Sequence, residues 1–193
     1  MGKINAHATG SVWASVANKH SAPGICTWSG NSLMKYYRAT GDRRALTLLE
    51  DIAHGLPQYV CHEQGQIGKM PWGGICERVN LSDWEGKREI GGQIFDSCSW
   101  TEVAAMLTVT QIPGIYVQTD KGDVTVFDNV EVEKSLSDDG RLTLKITNPT
   151  SYPADVTIYA ETSAQAKTTP FPTDVTGMKS VHVNPGETEV VAL

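Results

Sequence analysis

The sequence predicts an α+β chain in two parts, helices over residues 1–112 and an antiparallel β-sandwich over 113–193. Two observations carry this. Apolar residues recur at helical spacing before Pro113, and the pattern changes after it to short Val/Ile/Thr-rich runs of period two, separated by turn residues with no helical stretch between them.

The helical part opens with His7 to Asn18, rich in Ala and Ser and read as a weak helix. The run WSGNSLMKYYRAT places Leu33, Tyr36, Tyr37 and Thr40 at helical spacing, with Gly41 as the stop. Asp42 is the N-cap of the next helix, in which Leu46, Leu49, Ile52, Ala53 and Leu56 form one apolar stripe and Pro57 ends or kinks the run. The two-residue Gly41-Asp42 link predicts an antiparallel pair of helices. A third helix is expected from Ser99 to Thr110 with Val103, Met106, Leu107 and Thr110 facing inward.

The strands are expected in GIYVQ, VTVFDNVEVEKSL, RLTLKITN, ADVTIYAE, KSVHVN and TEVVAL. Turn signals lie between them at Thr119–Gly122, Ser137–Gly140, Asn148-Pro149 and Asn184–Gly186. The Thr- and Pro-rich stretch Ser163 to Gly177 reads as a long loop.

Composition narrows the function classes. A formal net charge of −6 leaves no basic surplus for a phosphate backbone, so no nucleic-acid partner is expected. No apolar run approaches the ~20 residues that cross a bilayer, and the N-terminus lacks the apolar core of a signal peptide. Four cysteines, Cys26, Cys61, Cys76 and Cys98, stand in no C-x-x-C spacing; their even number permits disulfides, and the competing reading is that of reduced core residues. No cofactor and no metal is expected. His62-Glu63 lacks the second His of a zinc protease motif, and neither a phosphate loop nor a nucleophile elbow is present. His7, His20, His54 and His182 read as surface or packed histidines, and Asn80-Leu81-Ser82 is a glycosylation sequon.

The chemistry concentrates in residues 62–102, where Trp72, Trp84 and Trp100 lie among Glu77, Asp83, Glu85 and other acids. So long a stretch without periodicity is a functional candidate. Tryptophan beside carboxylate suits carbohydrate. The C–H face of a sugar stacks on the indole, carboxylates accept its hydroxyl hydrogens, and a carboxylate pair can act as acid and base on a glycosidic bond.

The runs TGDRRALTLLEDIAHGLPQYV, ERVNLSDWEGKREIGG and CSWTEVAAMLTVTQIPGIYVQ resemble the late hairpins of the six-hairpin (α/α)6 toroid superfamily. The likeness is to large uncharacterised Bacteroidetes-type proteins grouped with glycoside hydrolases, in which a β-sandwich follows the toroid. It implies a partial toroid over 1–112, a carbohydrate substrate and a periplasmic or secreted parent. A full toroid has twelve helices, whereas residues 1–112 hold only about four at ordinary helix and loop lengths. The chain is therefore expected to be the C-terminal piece of such a protein, inactive alone, and to self-associate as a dimer through an exposed helical face.

If the parent is a hydrolase, the loop acids Glu77, Asp83 and Glu85 are the catalytic candidates. Arg78 beside Glu77 favours the base role for Glu77, and the apolar Trp84 flanked by Asp83 and Glu85 favours the general acid in one of those two. His62, Trp72, Arg78, Trp84 and Trp100 are the substrate-binding candidates. A polysaccharide lyase using His62 and Arg78 on a uronic acid, and a non-catalytic glycan-binding or structural module, are the alternatives.

Overall fold

The computed structural model describes residues 12–15, 20–22, 30–61, 71–75, 79–80, 99–137, 140–172, 175 and 178–193. It combines helices and sheets, an α+β arrangement. Two compact units are formed, one from residues 1–33 and 47–109, the other from 34–46 and 110–193. Helices α1 (Gly30–Thr40), α2 (Arg43–Gly55) and α3 (Ser99–Gln111) each supply residues to both units.

Local sequence accounts for the α1–α2 junction. Gly41 takes φ 76°, where a side chain would be strained, and its N–H reaches the Tyr37 carbonyl at 2.7 Å. Asp42 then caps α2, its Oδ1 accepting the Arg44 N–H at 3.1 Å while the Arg44 guanidinium folds back on the same carboxylate at 2.6 Å. At its far end α2 stops at Gly55, and Pro57 falls inside a 3-10 turn, Leu56–Tyr59. The expected stripe is buried at Leu46, Leu49, Ile52 and Leu56.

The first unit contains a three-stranded antiparallel sheet of β1 (Val12–Ser15), β2 (His20–Ala22) and β3 (Val79–Asn80), in the order β1-β2-β3. Part of the expected His7–Asn18 helix is thus a strand. Val12 and Trp13 favour extended backbone, and pairing with residues 20–22 supplies hydrogen bonds that a short Ala/Ser-rich helix could not match. Leu56, Tyr59, fully buried Cys61, Ile75 and Ala105 form the local apolar cluster.

Helix α3 faces the other way from the expected one. Val103, Met106 and Leu107 are exposed (51%, 65% and 42%), as is Thr110, whereas Ala104, Ala105 and Thr108 are buried. The reason is close approach. A Cβ placed on Gly30 would lie 3.2 Å from Thr108 Cγ2 and 3.6 Å from Leu49 Cδ1, a separation at which only small residues fit. In α1, Met34 and Tyr37 are buried, while Tyr36, at the same helical spacing in the sequence, is half exposed.

The second unit holds two sheets. One is antiparallel, in the order β10-β7-β6, from β6 (Glu131–Leu136), β7 (Leu142–Thr147) and β10 (Thr188–Ala192). The other runs β5-β4-β8-β9, from β4 (Ile115–Gln118), β5 (Asp123–Val126), β8 (Ala154–Glu161) and β9 (Lys179–Val183). Its central pair, β4 with β8, is parallel, Ile115 opposite Ile158, so this sheet is mixed rather than wholly antiparallel. Alternate residues of both sheets meet in one cluster, with Ile115, Val117, Leu144, Ile146, Val156 and Val183 fully buried. Each such side chain contributes about 1.5–3 kcal/mol by leaving water.

The expected loop from Ser163 contains a short helix, α4 (Ser163–Thr168). Thr162 caps it and Gln165 returns the bond to the Thr162 N–H at 2.8 Å, a capping box that the order Thr-x-x-Gln encodes. Among the described residues no helix is long and apolar enough to cross a membrane.

Candidate functional site

Residues Pro71-Trp72-Gly73-Gly74 form a tight turn in the first unit. The Gly74 N–H donates to the Pro71 carbonyl at 3.0 Å, and Gly73 takes φ 82°, as the third residue of a type II turn must. Two further backbone bonds tie the turn to buried chain: Cys61 N–H to the Gly74 carbonyl at 2.8 Å, and Gly73 N–H to the Cys61 carbonyl at 2.7 Å. An antiparallel bridge between Val60 and Ile75 continues the pairing, and Ile75 and Cys61 are sealed in the apolar cluster.

On this anchored turn the Trp72 side chain projects with 76% of its surface exposed. Tryptophan is normally among the more buried side chains, and leaving a whole indole in water forfeits the burial of an aromatic surface. The turn holds its backbone fixed, so little entropy is lost when a flat partner lies on the ring. An indole of this kind offers an apolar face to a sugar's C–H groups and one N–H to a hydroxyl.

The other sequence-derived candidates are distributed differently. Glu77, Asp83, Glu85, His62, Arg78 and Trp84 lie outside the described residues. Trp100 belongs to the first turn of α3, and its side chain also lies outside them.

The densest polar constellation among the described residues is in the second unit. Arg38, on α1, forms a two-pronged ion pair with Glu161 at the end of β8, Nε to Oε1 and Nη2 to Oε2, both 2.7 Å. Its Nη2 also donates to the Thr169 carbonyl at 2.8 Å, and its guanidinium lies 5.1 Å from the centre of the Phe171 ring. The Tyr116 hydroxyl donates to Glu161 Oε1 at 2.8 Å, and the Tyr159 hydroxyl reaches Oε2 at 3.4 Å. Tyr37, edge-on to Tyr116, donates to Gln118 Oε1 at 2.7 Å.

Burial alone would depress the Arg38 guanidinium, but the Glu161 carboxylate outweighs it and holds Arg38 above its ordinary value. Burial, then Glu161, pushes the Tyr116 hydroxyl far up, and Tyr37 and Tyr159 rise from burial first as well. Both carboxylate oxygens of Glu161 are taken, the pair is 6% and 4% exposed, and the surrounding hydroxyls stay protonated. That chemistry suits a clamp fastening α1 to the β4–β8 pair, not proton transfer to a ligand. No sequence signal marks it, because its two charges stand 123 residues apart and each reads as a surface residue.

Among the described residues no group of three or more His, Cys, Asp or Glu is placed to hold a metal ion. Neither a protein-family model, nor a curated protein, nor a solved structure matches the chain.

Proposed function

We propose that the chain is the C-terminal portion of a carbohydrate-active enzyme of glycoside hydrolase type, in which Trp72 is a stacking platform for a sugar ring. The single observation that carries this reading is the exposed Trp72 indole on a turn tied to Cys61 by two backbone hydrogen bonds. In the same reading the helices of residues 1–112 are part of an (α/α) toroid and the two sheets sharing one apolar cluster are a β-sandwich. Glu77 acts as base and Asp83 or Glu85 as general acid, with His62, Arg78, Trp84 and Trp100 lining the substrate path. Self-association runs through the exposed apolar side of α3, at Val103, Met106 and Val109.

Isothermal titration of the full chain with neutral and uronic-acid oligosaccharides tests the platform. Trp72→Ala is expected to weaken binding about tenfold or more, and Trp72→Phe to keep part of it. Equal affinity for wild type and Trp72→Ala sinks the reading. In the longer parent, Glu77→Gln, Asp83→Asn and Glu85→Gln are assayed singly for sugar release; unchanged turnover in all three removes the hydrolase assignment. Light scattering on the eluted chain reads the dimer directly, and a clean monomer at micromolar concentration removes that part.

A further inference from the structure

The order β10-β7-β6 leaves β10 at a sheet edge, and among the described residues no strand is paired to its far side. Hydrogen bonds at both ends fix which of its backbone groups face outward. The Leu193 N–H donates to the Leu142 carbonyl at 2.9 Å, and the Glu187 carbonyl accepts the Asn148 N–H at 3.0 Å. Bonded positions alternate along an antiparallel ladder, so Thr188, Val190 and Ala192 turn their N–H and C=O groups away from β7. A row of outward groups of this kind is a template for one more strand.

The strand that fits this row is β10 of a second copy. The run Val190–Leu193 carries no charge, no Gly and no Pro, and Val190 is 66% exposed. Two β10 strands paired antiparallel about Val190 set Val190 opposite Val190, Thr188 opposite Ala192 and Glu189 opposite Val191. No like charges oppose each other in that register, and the valine pair favours it. Strand β6, at the other edge of the sheet, differs. It carries Glu131, Glu133 and Lys134, so a copy centred on Glu133 or Lys134 meets a like charge.

One side chain stands in the way on β10. Lys179, at the start of β9 and opposite Ile158 in register, donates from Nζ to the Ala192 carbonyl at 3.1 Å. That ammonium occupies the place an incoming N–H would take, and an added strand would strip water from its charge. The arrangement recurs on the other side of the unit, where Lys134 of β6, opposite Leu144, donates to the Gly122 carbonyl just ahead of β5. We infer that Lys179 is an edge guard: by holding the Ala192 carbonyl it keeps β10 from pairing with β10 of a second copy into one continuous sheet. This contact is distinct from the apolar side of α3, and the guard acts against it alone.

The test uses the full chain carrying Met106→Gln and Val109→Gln, so that association through α3 is not read. Light scattering and amide hydrogen exchange are followed from about 1 to 100 μM, the range of a modest strand-to-strand contact. Adding Lys179→Thr is expected to produce a dimer in which the Thr188, Val190 and Ala192 amides exchange about threefold more slowly or less. Lys179→Met, which keeps the stem without the donor, should do the same, and Lys179→Arg, which still donates, should stay monomeric. Val190→Lys added to Lys179→Thr sets like charges opposite each other and should restore the monomer. The inference is overturned if Lys179→Thr and Lys179→Met both stay monomeric to the highest concentration, or if they associate with those three amides exchanging as before. Association that vanishes with Met106→Gln and Val109→Gln and does not return with either Lys179 variant would retain the α3 contact and discard this one.

Discussion

The β unit encloses an arginine and a glutamate at 6% and 4% exposure, while the helical unit leaves a tryptophan and a methionine in solvent at 76% and 65%. Polar groups lie inside in one and apolar groups outside in the other, the reverse of the simple rule in both. In the β unit the inversion is closed: each charge meets its opposite, and each hydroxyl around them has an acceptor. In the helical unit it is open, because the apolar side chains of α3 and the Trp72 turn face outward. Buried polarity that is fully satisfied fixes a structure, whereas exposed apolarity marks a surface that has something to bind.

The widest separation between the units should come from breaking the clamp. Glu161→Ala leaves Arg38 charged, buried and unpaired, and should cost about 3–5 kcal/mol in urea unfolding. The double variant Arg38→Met, Glu161→Met should recover most of that loss. If the double is as unstable as the single, the pair adds more than charge compensation.

A smaller loss is expected at Gly114, whose N–H is held by Thr157 Oγ1 at 2.9 Å. A Cβ there would collide with the Asp128 carboxylate, so Gly114→Ala should cost about 1–3 kcal/mol by forcing that side chain and its loop aside. Below it comes the α4 cap, where Thr162→Ala should lose about 1 kcal/mol and Thr162→Ser should restore it.

Met106→Gln and Val109→Gln on α3 should change stability by no more than about 0.5 kcal/mol, since the residues are already in water. The same variants should abolish any concentration-dependent association seen by light scattering. A large loss of stability would show that this side of α3 is covered and that the contrast between the units is false.

The smallest effect is at His182, which sits above its ordinary value chiefly through its hydrogen bond to Asp155, with Asn184 assisting. A group whose folded value is raised stabilises below its unfolded value and loses that contribution as pH rises through the folded one. A slight fall in Tm is therefore expected as pH climbs from about 6 upward, and it should vanish in His182→Asn.

The strands were legible because Val, Ile and Thr alternate in them and Gly, Asn and Asp break the runs at each turn. The Gly41-Asp42 junction was legible for the same local reason. Helix α3 was misread because periodicity finds the large residues 103, 106, 107 and 110. The packing was decided instead by the small ones, Ala104, Ala105 and Thr108, against Gly30. The α4 capping box stood in the sequence but was masked by the Thr and Pro around it. Trp72 was legible as one ring of a Trp-rich stretch; its exposure was not, since burial depends on the pairing of Cys61 with Gly73 and Gly74. The Arg38–Glu161 clamp had no local signal at all.

The span of that clamp also has a consequence in time. During synthesis Arg38 leaves the ribosome 123 residues ahead of Glu161, a wait of about 6–25 s at ordinary elongation rates of roughly 5–20 residues per second. Until β8 appears, the guanidinium must stay hydrated, so α1 cannot settle against the β sheet from its own end. Assembly of this unit is thereby postponed until most of the chain has been made, and nascent chains released before residue 161 should remain open to proteases.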